Sequence, residues 1–186
     1  MTGGHGAHAE GGDKRTALVI AVLALFLAIV ETGAKSSQTQ GLSSNVEASN
    51  LWAFFQARTI RQTTVTAAAD AAELQKLTTA DPAVRTAIEA QQKKWRDQVA
   101  NLESNGKDGR KELTARATAA EHSRDYALGQ YHMYEYAAAL LQVAIVIASA
   151  TIITGIPLLL LVSLALAAGG AALSAIGFFA PGMFHH

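Results

Sequence analysis

Few ionisable residues in this sequence stand in patterns that chemistry would use. His132 and Glu135 lie three apart in Tyr131-His-Met-Tyr-Glu-Tyr136, a spacing that brings both to one side of a helix. Such a couple could relay a proton, but an isolated pair of this kind is more often an interfacial hydrogen bond. His122 precedes His132 by about three helical turns, too far for the two to share a metal ion. His5 and His8 lie in a Gly-rich start, where two imidazoles make a weak metal site. No Gly-rich phosphate loop, nucleophile elbow or His-Glu-x-x-His motif is present. The absence of cysteine excludes disulfides and thiolate chemistry. The expectation is a non-enzyme without catalytic, cofactor-binding or metal residues.

A second kind of candidate is polarity inside apolar sequence. Glu31 closes the run Ala17 to Val30, and an ionisable group at membrane depth is a functional candidate. The plainer reading is an interfacial pair with Lys35 at i,i+4. Gln142, Ser149, Thr151 and Thr154 are polar within the later run. In a ring of subunits Glu31 and Gln142 could line an opening, which makes them the pore candidates. Against this, a hydroxyl on a helix can bond its own backbone.

The elements that carry these residues follow from composition and period. Lys and Arg (15) balance Asp and Glu (15) in 186 residues, so no net field recruits nucleic acid. Half the residues are hydrophobic and only 6% aromatic, a composition that suits helices and lipid. From Leu113 to Ile156 one helix is predicted. Its seam is Leu113, Ala117, Ala120, Ala127, Tyr131, Tyr134, Ala138, Leu141 and Ile145, with Arg124 the exception. This seam passes without interruption from polar into wholly apolar sequence. Lys14-Arg15 introduces another apolar run. A helix from about Thr16 to Ala34 would reach ~28 Å, enough to span lipid; a signal peptide ending at Thr32-Gly-Ala34 is the competing reading. Ala17, Ala21, Ala24 and Ala28 form a small-residue stripe on it. A last span runs from Leu158 to about Ala180 after the tight Gly155-Ile-Pro157, with Ser163, Ala167, Gly170, Ala171, Ser174 and Ala175 set for close packing.

Between the first two spans the helix is expected to continue. Val46, Ala53, Ile60, Ala67 and Leu74 recur every seven residues and predict a coiled-coil-like segment. Trp52, Phe54 and Phe55 cannot share one face, so some of them should meet a second helix or a neighbouring subunit. Asp81-Pro82 signals a restart, as N-cap and first helical residue. The next helix places Val84, Ile88, Gln91, Trp95 and Leu102 on one face and an Arg85–Glu89–Lys93 ladder outside. Ser104 to Gly109 is a break. Tyr126, Tyr131, Tyr134 and Tyr136 gather where the helix meets lipid, as an aromatic belt would.

Direction then sets the architecture. A chain that climbs from the first span must descend through 82–103 and 109–136 to reach the second. The fold class expected is therefore an all-α membrane protein with three transmembrane helices and a long antiparallel helical hairpin outside the membrane, the first and second spans continuous with its arms. The segments are a disordered Gly/His tail at 1–13, spans at 14–34, 137–156 and 158–180, a hairpin at 35–136 and a tail at 181–186. Within the hairpin the arms are 35–79 and 82–103 plus 109–136. Trp52 should lie level with Thr118, Tyr134 with Ser36, and Trp95 with Thr66.

Ala48-Ser-Asn-Leu-Trp-Ala-Phe-Phe-Gln-Ala-Arg58, Tyr131-His-Met-Tyr-Glu-Tyr136 and Gln142-Val-Ala-Ile-Val146 resemble a bacterial membrane family known as domain of unknown function 4337. The resemblance covers nearly the whole chain and implies a bacterial inner-membrane protein with three spans and no assigned activity. It also implies basic residues in the loop between the last two spans, which this chain lacks. Lys14-Arg15 against Lys35 orients it weakly, with a cytoplasmic N-terminus and a periplasmic hairpin. The expected role is structural: a homo-oligomeric scaffold in the bilayer, built through Trp52, Phe54, Phe55, Tyr131, Tyr134, Gly170 and Ser174. The expected partners are lipid, further copies of the chain and an unidentified protein, without nucleic acid. The alternative is an oligomeric ion channel with Glu31 near the pathway.

Overall fold

The computed structural model describes residues 6–180, with side chains from Lys14 onward; His5, His8 and the tail from Pro181 lie outside the described side chains. The described residues form four helices and no strand: α1 (Gly6–Thr78), α2 (Pro82–Glu103), α3 (Arg110–Thr154) and α4 (Pro157–Phe179). α1 begins inside the Gly-rich start that composition left without regular structure. Extending a formed helix adds one bond per residue, which opposes a cost of about 1 kcal/mol at each Gly. Helices α1, α3 and α4 each hold a stretch long and apolar enough to cross a membrane.

The boundaries follow local chemistry. Asp81 caps α2, its carboxylate accepting from the Ala83 N–H at 2.8 Å, with Pro82 in the first turn. Between α2 and α3 the chain turns through Gly106 at φ 58°, and between α3 and α4 through Gly155 at φ 68°. Both are left-handed conformations that glycine adopts without steric cost. Gly109 is needed for space, since a Cβ there would strike the Glu112 carboxylate and the Asn105 backbone.

Contacts divide the chain into two compact units. The first takes α1 up to Leu42, α3 from Arg124 and α4. Its core joins Leu23 and Val30 of α1, Tyr134, Ala137, Ala138, Leu141 and Ala144 of α3, and Ala167 of α4. α4 meets α3 through small residues. Ser163 is fully buried and donates to the Ala144 carbonyl at 2.7 Å, and a Cβ on Gly177 would stand 2.8 Å from that of Met133. In a solvent without hydrophobic drive, such close backbone approach supplies the association energy.

The second unit is Ser43–Ser123. Ala48 and Leu51 of α1 pack on Leu113, Ala117 and Ala120 of α3, with Trp52 and Phe55 against them. Ser44 and Ser123 share a hydrogen bond of 3.1 Å, and Trp52 Nε1 donates to Glu121 at 2.9 Å. Farther along α1, Gln62 donates to Glu103 at 3.3 Å, Gln92 to the Ala69 carbonyl at 3.2 Å, and Lys76 pairs with Glu89 at 2.9 Å.

The heptad Val46, Ala53, Ile60, Ala67 and Leu74 is exposed, and the contact with α3 is made by Ser44, Ala48 and Leu51 on another face of α1. Trp52 packs on the cluster that holds Ala117 and Ala120 while its indole N–H reaches Glu121, and the Tyr134 ring lies against Gly33. Gln92, not Gln91, is buried in α2, because its amide serves both the Ala69 carbonyl and Glu73. The Arg85–Glu89–Lys93 ladder does not form, since Glu89 pairs with Lys76 and Arg85 donates to the Thr79 carbonyl. In the long seam Tyr131 is only half-buried, while Ala137, Ala144 and Ala148 are buried completely.

The break between α2 and α3 carries a pH signature. The Ser104 hydroxyl donates to Glu112, which holds that carboxyl below its ordinary value of 4.5. A lowered folded pKa contributes stability that is present above pH 4.5 and lost as pH falls through the folded value. Acidification below that point should lower the thermal midpoint, followed by circular dichroism, and Glu112→Gln should reduce this acid dependence.

Candidate functional site

Two constellations carry the candidate residues, one in each unit. In the first unit the two pore candidates meet each other: Gln142 Nε2 of α3 donates to Glu31 Oε1 of α1 at 3.2 Å. Glu31 makes no ion pair with Lys35 among the described residues. In place of the expected i,i+4 partner, an amide on the neighbouring helix donates to one oxygen of the carboxylate. A groove of about 470 Å³ opens beside this bond, bordered by Lys35, Gln38, Tyr131 and Glu135.

Glu135 serves two neighbours on its own helix. Tyr131 Oη donates to Oε1 at 3.0 Å, and His132 Nδ1 lies 3.8 Å from Oε2. The bond to Glu135 raises the Tyr131 pKa above its usual 10.0. This is a surface arrangement, with His132 and Glu135 both exposed. It orders side chains where the helix meets the apolar run and offers no enclosed space in which to exclude water from a reaction. No group of three metal-ligating side chains occurs among the described residues.

The remaining polar groups of the α3 span turn to their own helix. Ser149 donates to the Ile145 carbonyl at 2.8 Å, Thr151 to Ile147 at 3.3 Å and Thr154 to Ala150 at 2.8 Å. Gly170 is buried, and a Cβ there would lie 3.1 Å from the Ala137 carbonyl. Its small size therefore serves packing within the chain. Ser174 is half-buried and borders an apolar groove of about 430 Å³ with Phe26, Gly33, Tyr134 and Phe178.

In the second unit the three aromatics of α1 separate. Trp52 and Phe55 stack edge to face, 5.5 Å between centroids and 85° between planes. The Arg110 guanidinium lies 5.0 Å from the Phe55 centroid, bonded also to Gln62 and Glu103. Phe54 points outward with 61% of its surface exposed. It borders an open groove of about 500 Å³ with Val46, Asn50, Leu51, Leu113 and Arg116. Ile60, Leu74 and Leu77 continue the exposure along α1, at 68%, 67% and 70%.

The family described as Domain of unknown function (DUF4337) matches residues 12–180. The chain belongs to this family. No curated protein and no solved structure matches it. The match takes in all the candidate residues of this DUF4337 chain, those at the membrane boundary and those on α1 alike.

Sequence reasoning named Phe54 among its candidates and missed two features. Arg110 ties the break to α1 through Phe55 and Gln62, and no motif marks it. The outward phase of the heptad had no local mark either, because the face that meets α3 includes the polar Ser44 beside Ala48 and Leu51. Ser44, Ala48 and Leu51 win the contact with α3, since Ala117 and Ala120 lie opposite. The Trp52 anchor is testable: Trp52→Phe keeps the ring packing and removes the bond to Glu121. It should cost about 1 kcal/mol, read as a lower thermal midpoint with helix content unchanged.

Proposed function

We propose that this chain is a non-enzymatic structural protein of the bacterial inner membrane that assembles with further copies of itself. In this reading its three apolar helices cross the bilayer, and α1 and α3 run without interruption from lipid into an antiparallel helical hairpin at 35–136, the N-terminus cytoplasmic and the hairpin periplasmic. The observation that carries the reading is the outer face of α1. Val46, Phe54, Ile60, Leu74 and Leu77 are each more than half exposed, in the part of α1 that follows the apolar run Ala17 to Val30. Val46, Ile60 and Leu74 recur on that face at heptad spacing, a pattern that marks a helix-pairing surface, and most soluble oligomers are symmetric assemblies of one chain.

The second reading, an ion pore with Glu31 near the pathway, draws less support. A pore needs polar groups turned to an opening. Glu31 and Gln142 are bonded to each other, and the hydroxyls of Ser149, Thr151 and Thr154 are bonded to their own helix.

Native mass spectrometry from mild detergent separates these readings from a solitary chain. A multiple of the chain mass is expected, and a monomer at every protein concentration contradicts the assembly. Glu31→Gln should leave both the mass and the ion permeability of loaded vesicles unchanged. A change in permeability would favour the pore.

A further inference from the structure

Resting on that reading, we propose that two copies of this chain pair through α1 as a parallel, in-register, two-stranded coiled coil. Val46, Ala53, Ile60, Ala67 and Leu74 form its seam, and Asn50 keys it. All five seam residues are exposed. So are Asn50, Ala57, Thr64 and Ala71, which interleave with them at 4-3 spacing. Together they make a coiled-coil stripe over four heptads, long enough to specify pairing. The opposite face of the same helix is occupied by α3 through Ala48 and Leu51, so the stripe is free for a partner.

Its chemistry fits a second copy. No charged residue stands on the stripe, although a solvated helix face ordinarily carries charge. Glu47, Arg61 and Asp70 flank it. Paired in register, Arg61 faces Gln56 of the other copy and Asp70 faces Gln75, so no like charges meet. Thr64 brings no unsatisfied hydroxyl into the seam, because it donates to the Ile60 carbonyl at 2.9 Å. Ala53, Ala57 and Ala67 allow the two backbones to come close.

Orientation selects the parallel arrangement. Every copy inserts the apolar run of α1 in the same direction, so two neighbouring α1 helices present the same residues at the same height. A self-matching heptad is what that geometry requires. Asn50 then acquires a role. Its side chain is exposed, makes no side-chain hydrogen bond among the described residues, and lines the open groove beside Phe54. A single Asn in an apolar seam pairs with its own copy, which fixes register and limits the assembly to two strands.

The sequence has no cysteine, so single cysteines report cleanly. Full-length chains carrying Ala53→Cys, Ile60→Cys or Ala67→Cys, with Ala119→Cys on the exposed surface of α3 as control, are oxidised in lipid nanodiscs while native mass is measured in parallel. A disulfide forms only where Cα atoms come within about 7 Å. The expected result is a dimer mass with disulfide dimers at 53, 60 and 67 and none at 119. An oligomer mass without seam disulfides, or with equal cross-linking at 119, overturns the seam and leaves the broader assembly reading standing. A monomer overturns both. Asn50→Leu should keep the seam disulfides and add species larger than the dimer. An unchanged, purely dimeric variant would overturn the role of Asn50.

Discussion

The structure depends on how closely α3 can approach its neighbours. Ala117, Ala127, Ala137, Ala144 and Ala148 are all buried to 0% exposure, and none contributes more than a methyl group. Their burial removes little apolar area, so the stabilisation comes from backbone proximity and the dispersion contacts that proximity creates. α4 answers with Ser163, Ala167, Gly170 and Gly177, and α1 with Ser37, Ser44 and Ala48. A helix that makes such a narrow contact gives only one face to it. The rest of α1 stays outside, which is why Val46, Phe54, Ile60 and Leu74 remain exposed while alanines fill the interior.

Polar groups are handled locally for the same reason. With thin contacts there is little room to bury an unpaired donor, and each such group costs about 1–3 kcal/mol if left unsatisfied. Ser163 bonds the Ala144 carbonyl, Gln92 the Ala69 carbonyl, and Gln142 the Glu31 carboxylate. These bonds also set register between helices whose alanine faces would otherwise slide. Trp52 with Glu121, and Arg110 with Gln62 and Glu103, do the same along the second unit. The polar residues named here thus act as positioning groups.

Much of this was legible in the residues. Asp81-Pro82 marks the start of α2, Ser104 to Gly109 the interruption before α3, and Gly155-Ile-Pro157 the turn into α4, because each relies on local stereochemistry. Helix type and apolar length follow from composition, and membership of the family from the Trp-x-Phe-Phe-Gln-Ala-Arg stretch and its companions. The facing of α1 was not legible. The inward face carries Ser37, Ser44 and Ala48 and the outward one Val46, Ile60 and Leu74, so the choice rests on what lies opposite, which no local pattern encodes. Gly170 shows the same limit: a small residue signals close packing but does not say whether the neighbour is α3 or another copy. Glu31 shows it for polar groups, where Lys35 was near in sequence and Gln142 near in space.

The central claim is that the uncharged stripe of α1 is covered by the same stripe of a second copy. The most direct measurement is a dipolar distance between single spin labels at Ala57→Cys in the full-length chain reconstituted in nanodiscs. Two helices in coiled-coil contact hold their axes about 8–10 Å apart, so the account gives a narrow, short label-to-label distance. A signal with no dipolar modulation, or a broad distribution centred well beyond the reach of two contacting helices, would contradict it.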